Sequence, residues 1–236
     1  MINKYAATFL LAGLSFLFST GFAIAQASDD PSIPPAGMSD LQIQPIRLPA
    51  LSEVGGSPFM TTEYQIGSIE ISDHRVVKNI PVKFNIFNNA IMVKKDGQDM
   101  KLELFESVTF SVVGNDGTSR QVIFKQGYPE IDNHNDRAVY QVLSMGPKVH
   151  LLKFLTQKVE DAATLGDYSR REIVTSQQLY IYTPGGEIKR IKSNKQSLVD
   201  ALPALSSKIE EVVSTSKLNL KNESGITELI EALNRP

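Results

Sequence analysis

The sequence predicts a mainly β, α+β fold, a curled antiparallel meander or half-barrel with short C-terminal helices packed on it. Three observations carry this expectation. Between residues 66 and 191 apolar residues recur with the two-residue period of half-buried strands. Turn-forming dipeptides interrupt those runs at close spacing, and no helical pattern lies between them, which argues against βαβ units. After Ser193 the period changes to that of amphipathic helices.

At the N-terminus, Lys4 precedes an apolar run over residues 6–18, followed by small residues at Ala23, Ala25 and Ala27. That order is the pattern of a secretory signal peptide over residues 1–27, with cleavage after Ala25 or Ala27. The run is shorter than the ~20 apolar residues a membrane-spanning helix needs, so no transmembrane segment is expected in the mature chain. Residues 28–54 hold Pro31, Pro34, Pro35, Pro45 and Pro49. Proline fixes φ and removes a donor, so this stretch reads as an extended tether, with Leu41, Ile43 and Ile46 able to lie against the domain.

The β domain is expected over residues 55–192. Ile66, Ile69 and Ile71 open it, and Ile80, Val82, Phe84 and Ile86 form the clearest alternating strand. Pro81 within that run predicts an edge strand or a first ladder position, where a missing N–H costs little. Asn88 and Asn89 supply a turn. Asp96-Gly97, Asn115-Asp116-Gly117, Gly146-Pro147 and Pro184-Gly185-Gly186 then each separate two β-branched or aromatic runs, so the connections read as antiparallel hairpins. Residues 193–236 form the helical segment: Ser193 with Gln196 reads as a capping box, Pro203 as a helix break, and Leu198, Ile209, Ile226, Leu229, Ile230 and Leu233 as a one-sided stripe. Helices this short need tertiary support, and the open sheet face is the expected place.

Composition limits function more than it reveals it. With no cysteine the chain has no disulfide framework, no thiolate metal site, no thiol nucleophile and no lipidation cysteine at the cleavage point. A net charge of −2 speaks against a nucleic-acid partner, which calls for a concentrated basic patch. The expected location is therefore exported, in the periplasm or outside the cell, and not as a lipoprotein.

Certain stretches resemble a group of uncharacterised secreted proteins of Bacteroidetes-type bacteria. Gly56-Ser57-Pro58-Phe59, residues 78–88, Gly127-Tyr128, Leu151-Leu152-Lys153 and the tail over residues 194–203, with Ile209, residues 218–221 and Leu229, carry the likeness. It implies an exported sheet-plus-helices protein. It brings no catalytic residue, cofactor or substrate.

Few residues suggest chemistry. Asp132, His134 and Asp136 could offer oxygen and imidazole ligands to a divalent ion, although the run lacks the glycine and distal glutamate of a calcium loop and equally suits a solvated turn. His74 and His150 have no ligand-spaced partner. Glu70 with Asp73, or Glu103 with Glu106, would serve glycoside chemistry only across a cleft. No Gly-x-Ser-x-Gly elbow or phosphate-binding glycine loop is present. Aromatics at Phe84, Phe87, Phe105, Phe110, Phe124, Tyr128, Tyr140, Tyr180 and Tyr182 suit either core packing or a concave binding face. Sequence thus predicts no catalytic residue and no cofactor. The expected role is a non-enzymatic envelope or secreted protein, structural or binding a protein partner or apolar ligand. A hydrolase using Asp132, His134 and Asp136 is the alternative.

Overall fold

A computed structural model describes residues 36–46, 51, 53–114, 116–161 and 171–235. The stretch read as a signal peptide, residues 28–35, 47–50 and 52 of the tether, and Asn115 of the predicted Asn115-Asp116-Gly117 turn lie outside them. Among the described residues the strands are β1 (Ile43–Pro45), β2 (Val54–Gly55), β3 (Gln65–Glu70), β4 (Val76–Asn85), β5 (Ala90–Lys95), β6 (Gln98–Leu102), β7 (Ser107–Val113), β8 (Ser119–Lys125), β9 (Tyr140–Met145), β10 (His150–Asp161), β11 (Arg171–Tyr182) and β12 (Ile188–Ile191). Three helices close the chain: α1 (Lys195–Ala201), α2 (Ser206–Ser216) and α3 (Glu223–Asn234). The strands form one open sheet in the order β1-β6-β5-β4-β3-β7-β8-β9-β10-β11-β12, antiparallel except that β2 pairs parallel with β11. The mainly β class with short C-terminal helices is therefore the fold observed.

Local chemistry explains the hairpins. Asp96 and Gly97 both take positive φ between the paired Lys95 and Gln98, the left-handed turn that aspartate and glycine tolerate best. Asn89 does the same after β4.

The two halves of the sheet bury themselves differently. In β3 to β8 one face packs on itself: Ile69, Ile80, Val82, Phe84, Ile91, Val93, Val108, Phe110, Val122 and Phe124 form one cluster. The rings of Phe84 and Phe124 lie 4.4 Å apart, although β3 and β7 separate their strands. On a flat sheet three strand spacings amount to ~14 Å, so the sheet curls strongly here. Gly67 permits the curl, since a Cβ there would sit 2.6 Å from the Thr109 carbonyl oxygen and 2.8 Å from Val82.

In β9 to β12 both faces are covered. Val149, Leu151, Leu179, Ile181 and Ile191 meet the helical stripe of Leu198, Ile209, Ile226, Leu229, Ile230 and Leu233. Tyr140, Leu152, Phe154, Tyr180 and Ile188 face the other way, into a layer closed by Tyr128 and Ala138. Two asparagine amides fasten these layers to distant backbone. Asn89 Oδ1 accepts from Val139 N and its Nδ2 donates to Val139 O, while Asn234 Oδ1 accepts from Lys148 N and Val149 N and its Nδ2 donates to Val149 O.

Several expectations are corrected. Residues 36–46 are not a free tether: Met38 and Leu41 are buried in the β3–β8 core and β1 pairs with β6, because apolar side chains near a sheet edge gain more by burial than by remaining extended. Ordered packing thus begins upstream of Gly55. β4 is an interior strand, and Pro81 lies midway along it, next to Val82 where the β5 ladder begins. Asn194, not Ser193, caps α1 by accepting from Ser197 N. The helices cover β9 to β12 alone among the sheet's two halves. β10 and β11 run to Asp161 and from Arg171, well past the apolar segments that marked them.

Candidate functional site

The polar run between β8 and β9 folds into a small hairpin of its own. Gln126 Nε2 donates to Arg137 O, Gly127 N donates to Asp136 O, and Ile131 and His134 exchange both backbone hydrogen bonds at 3.1 and 2.7 Å. Between them Asp132 (φ 51°) and Asn133 (φ 66°) are both left-handed, the two-residue turn that asparagine and aspartate suit. Asn135 Oδ1 then accepts from Arg137 N to end the turn. The sequence supplies turn formers at each position where the backbone needs one.

That geometry sends the candidate ligands in different directions. The His134 ring stacks on Phe154 with centroids 3.8 Å apart, and its Nδ1 lies 3.0 Å from the Tyr140 hydroxyl. Asp132 Oδ2 accepts from Tyr180 Oη at 3.0 Å and pairs with Arg190 at 3.3 Å. Asp136 is exposed, and it is its backbone carbonyl that holds Gly127 N. Among the described residues no three histidine or carboxylate side chains form a group that could hold a metal ion. Asp132 and His134 are instead anchors that pin the hairpin to the sheet.

Beneath lies the aromatic layer. Tyr128 packs edge-on against Tyr140, His150 and Tyr182, and its hydroxyl is 3.3 Å from His150 Nδ1. Burial pushes the Tyr128 and Tyr180 hydroxyls far above the usual phenol range, and with the Asp132 charge nearby it moves Tyr140 up to about 12. Burial also lowers the His134 pKa, opposed by Asp132. His150 is lowered by burial and by the Lys125 charge, against a hydrogen bond to the Gly146 backbone. Such hydroxyls stay protonated and such imidazoles favour the neutral form, as suits packing groups with hydrogen-bonded tips.

Between this hairpin and the β5–β6 hairpin opens a groove of about 350 Å³. Its apolar lining, Ala90, Leu102, Ala138, Val139 and Phe154, is buried to 8% exposure or less and forms the floor. Its rim is polar. Glu103 is held there by Lys101 at 2.9 Å and Arg137 at 3.6 Å, and Gln44 Nε2 also donates to it. A second groove of about 340 Å³ runs along the β11–β12 turn beside Leu202 and Pro203, with Lys148 and Lys189 at its margin.

The remaining candidates stand apart. His74 contacts Glu70 at 3.3 Å on the exposed side, Asp73 pairs with Arg75, and Glu106 meets Glu70 through the Glu70 backbone carbonyl. Hydrogen bonding from Ser107 holds Glu70 below the usual carboxylate range. Gly55 belongs to β2. Of the nine aromatics singled out in the sequence, seven are buried, and Phe87 and Tyr182 are half-buried. Sequence reading overlooked the groove because its walls come from hairpins some 40 residues apart, joined through Asn89; the one local sign was the abundance of asparagine.

No family model, curated protein or solved structure matches the chain.

Proposed function

We propose that this chain is an exported, non-catalytic envelope or secreted protein that binds its partner at the surface, in keeping with its resemblance to secreted proteins of Bacteroidetes-type bacteria. One observation carries the reading: both hydrophobic layers are filled by side chains, and the larger of the two grooves has a polar rim. Leu198, Ile209, Ile226, Leu229, Ile230 and Leu233 are all fully buried against β9 to β12, so the helical stripe itself offers no apolar surface to a lipid-like ligand. The hydrolase alternative draws no support from Asp132, His134 and Asp136, whose side chains brace the hairpin or face solvent. Glu103 is the sole carboxylate among the described residues lining the larger groove, whereas glycoside cleavage ordinarily uses two.

The test has three arms. Full-length chain expressed in a Gram-negative host should appear in the periplasm or medium with a new N-terminus at Gln26 or Ser28, and full-length protein retained in the cytoplasm would overturn the export reading. The mature protein should show no turnover across a broad panel of esterase, phosphatase, peptidase and glycosidase substrates. Native mass spectrometry on protein from its own host should find no retained lipid.

A further inference from the structure

We infer that the groove between the β5–β6 hairpin and the 126–139 hairpin is a binding site for a neutral, hydroxyl-rich ligand, a short saccharide unit; this rests on the non-catalytic binding reading above. Four of the chain's twelve asparagines, Asn88, Asn89, Asn133 and Asn135, line this one groove. Asn89 is committed to Val139, but Asn88 and Asn133 are exposed on the rim, and Asn135 keeps its amide donors beside the oxygen that accepts from Arg137 N. A primary amide presents a donor and an acceptor side by side, which matches a pair of neighbouring hydroxyls.

Charge points the same way. Lys101 and Arg137 are the groove's cations, and both contact Glu103, which offsets one of their two charges and leaves a single positive charge shared across the trio, less than the paired cations that usually clamp phosphate. The apolar lining, Ala90, Leu102, Ala138, Val139 and Phe154, exposes 8% or less at each residue and lies beside the polar rim, a mixed surface that suits a ligand with both C–H and hydroxyl faces. A saccharide also needs a flat face for its C–H side. His134 supplies one: its ring stacks on Phe154, and it borders both this groove and the shallower one over residues 130–135. At about 350 Å³ the space lies near the small end of ligand sites, which run ~300–1,000 Å³, and suits a terminal mono- or disaccharide.

The experiment is an NMR titration of the ¹⁵N-labelled mature protein with glucose, galactose, mannose, N-acetylglucosamine and a β-linked and an α-linked disaccharide, beside inorganic phosphate and decanoate. At least one neutral saccharide should cause saturable shifts in the Asn88, Asn133 and Asn135 side-chain amides and at His134, with phosphate and decanoate silent there. Asn88→Ala, and Asn133→Gly, which preserves the left-handed turn, should each weaken that binding by about 3- to 10-fold, the loss of one or two hydrogen bonds, while leaving the remaining spectrum in place. Shifts at this groove from phosphate or decanoate in place of the sugars, silence of every sugar at 50 mM (about tenfold weaker than a ~5 mM complex), or unchanged affinity in both variants would overturn the inference and leave the non-catalytic reading standing. Cleavage of a disaccharide, visible as product signals in the same spectra, would instead sink the non-catalytic reading.

Discussion

The β3–β8 and β9–β12 halves of this sheet use the same backbone and opposite strategies. In β3 to β8 one face is buried and the curl supplies its own cover, so Phe84 and Phe110 both reach Phe124 at 4.4 and 5.6 Å. In β9 to β12 the sheet is a middle layer, with aliphatic side chains beneath the helices and tyrosines on the other side. A self-covering sheet depends on each large side chain at its centre, whereas a sandwiched one depends on its outer layers staying docked. That difference can be tested by breaking each half separately.

Phe124→Ala should have the largest effect, since it empties the meeting point of the curl. The expected loss is ~3–5 kcal/mol, read as a drop in the denaturation midpoint with an unchanged slope. Leu229→Ala, at the centre of the helical stripe, should cost ~2–5 kcal/mol. Its signature differs. Hydrogen exchange should show amides of α3 and of β9 to β12 opening before those of β3 to β8. Uniform loss of protection along the whole sheet in both variants would erase the distinction between the halves.

Each half also has one asparagine fastening. Asn234→Ala removes three hydrogen bonds between α3 and the turn before β10, leaving Lys148 N and Val149 N without that acceptor. The expected loss is ~1–3 kcal/mol. Asn89→Gly removes the link to Val139 but keeps the left-handed backbone, so its loss should be of the same order and should also widen the groove, visible as shifts at Asn88 and Gln126. Equal spectra on the two sides of the groove would show that Asn89 does not set its width.

The same contrast governs what could be read from sequence. Alternation at Ile80, Val82 and Phe84 gave away β4 because one face of that strand is buried and its partner face is wetter. In β10 and β11, Leu151 and Leu152, or Tyr180 and Ile181, are buried side by side on opposite faces, so burial no longer alternates and the solvated ends of those strands left no apolar signal. The hairpin turns were legible because left-handed backbone selects Asn, Asp and Gly directly. At the site, Asp132, His134 and Asp136 stood out as a polar run, but their roles are tertiary. Nothing within six residues of Asp132 announces Tyr180 or Arg190, about 50 residues away, as the groups that occupy it.

The smallest predicted effect is a pH dependence that belongs to β9 to β12. His134 and His150 both sit against the aromatic layer and both have pKa values lowered from 6.5, mainly by burial. In the unfolded chain each imidazole takes up its proton near pH 6.5, whereas in the folded chain it does so at lower pH, so between those values the unfolded state binds more protons. The stability they confer is complete above about pH 6.5 and is lost as the pH falls through their folded-state pKa values. Facing them are Asp132, whose charge opposes the shift at His134, and Lys125, whose charge adds to it at His150. Denaturation midpoints measured from pH 7.5 down to 5.5 should therefore decline in the natural protein. The decline should flatten in His134→Gln combined with His150→Gln, and exchange at the lower pH should increase first in the 126–139 hairpin and β9, because protonation charges the layer that the hairpin covers. A decline that persists unchanged in the double variant would show that these two imidazoles do not carry it; Glu70, on the β3–β8 side, where hydrogen bonding from Ser107 lowers the pKa, loses its contribution only at lower pH than this window covers.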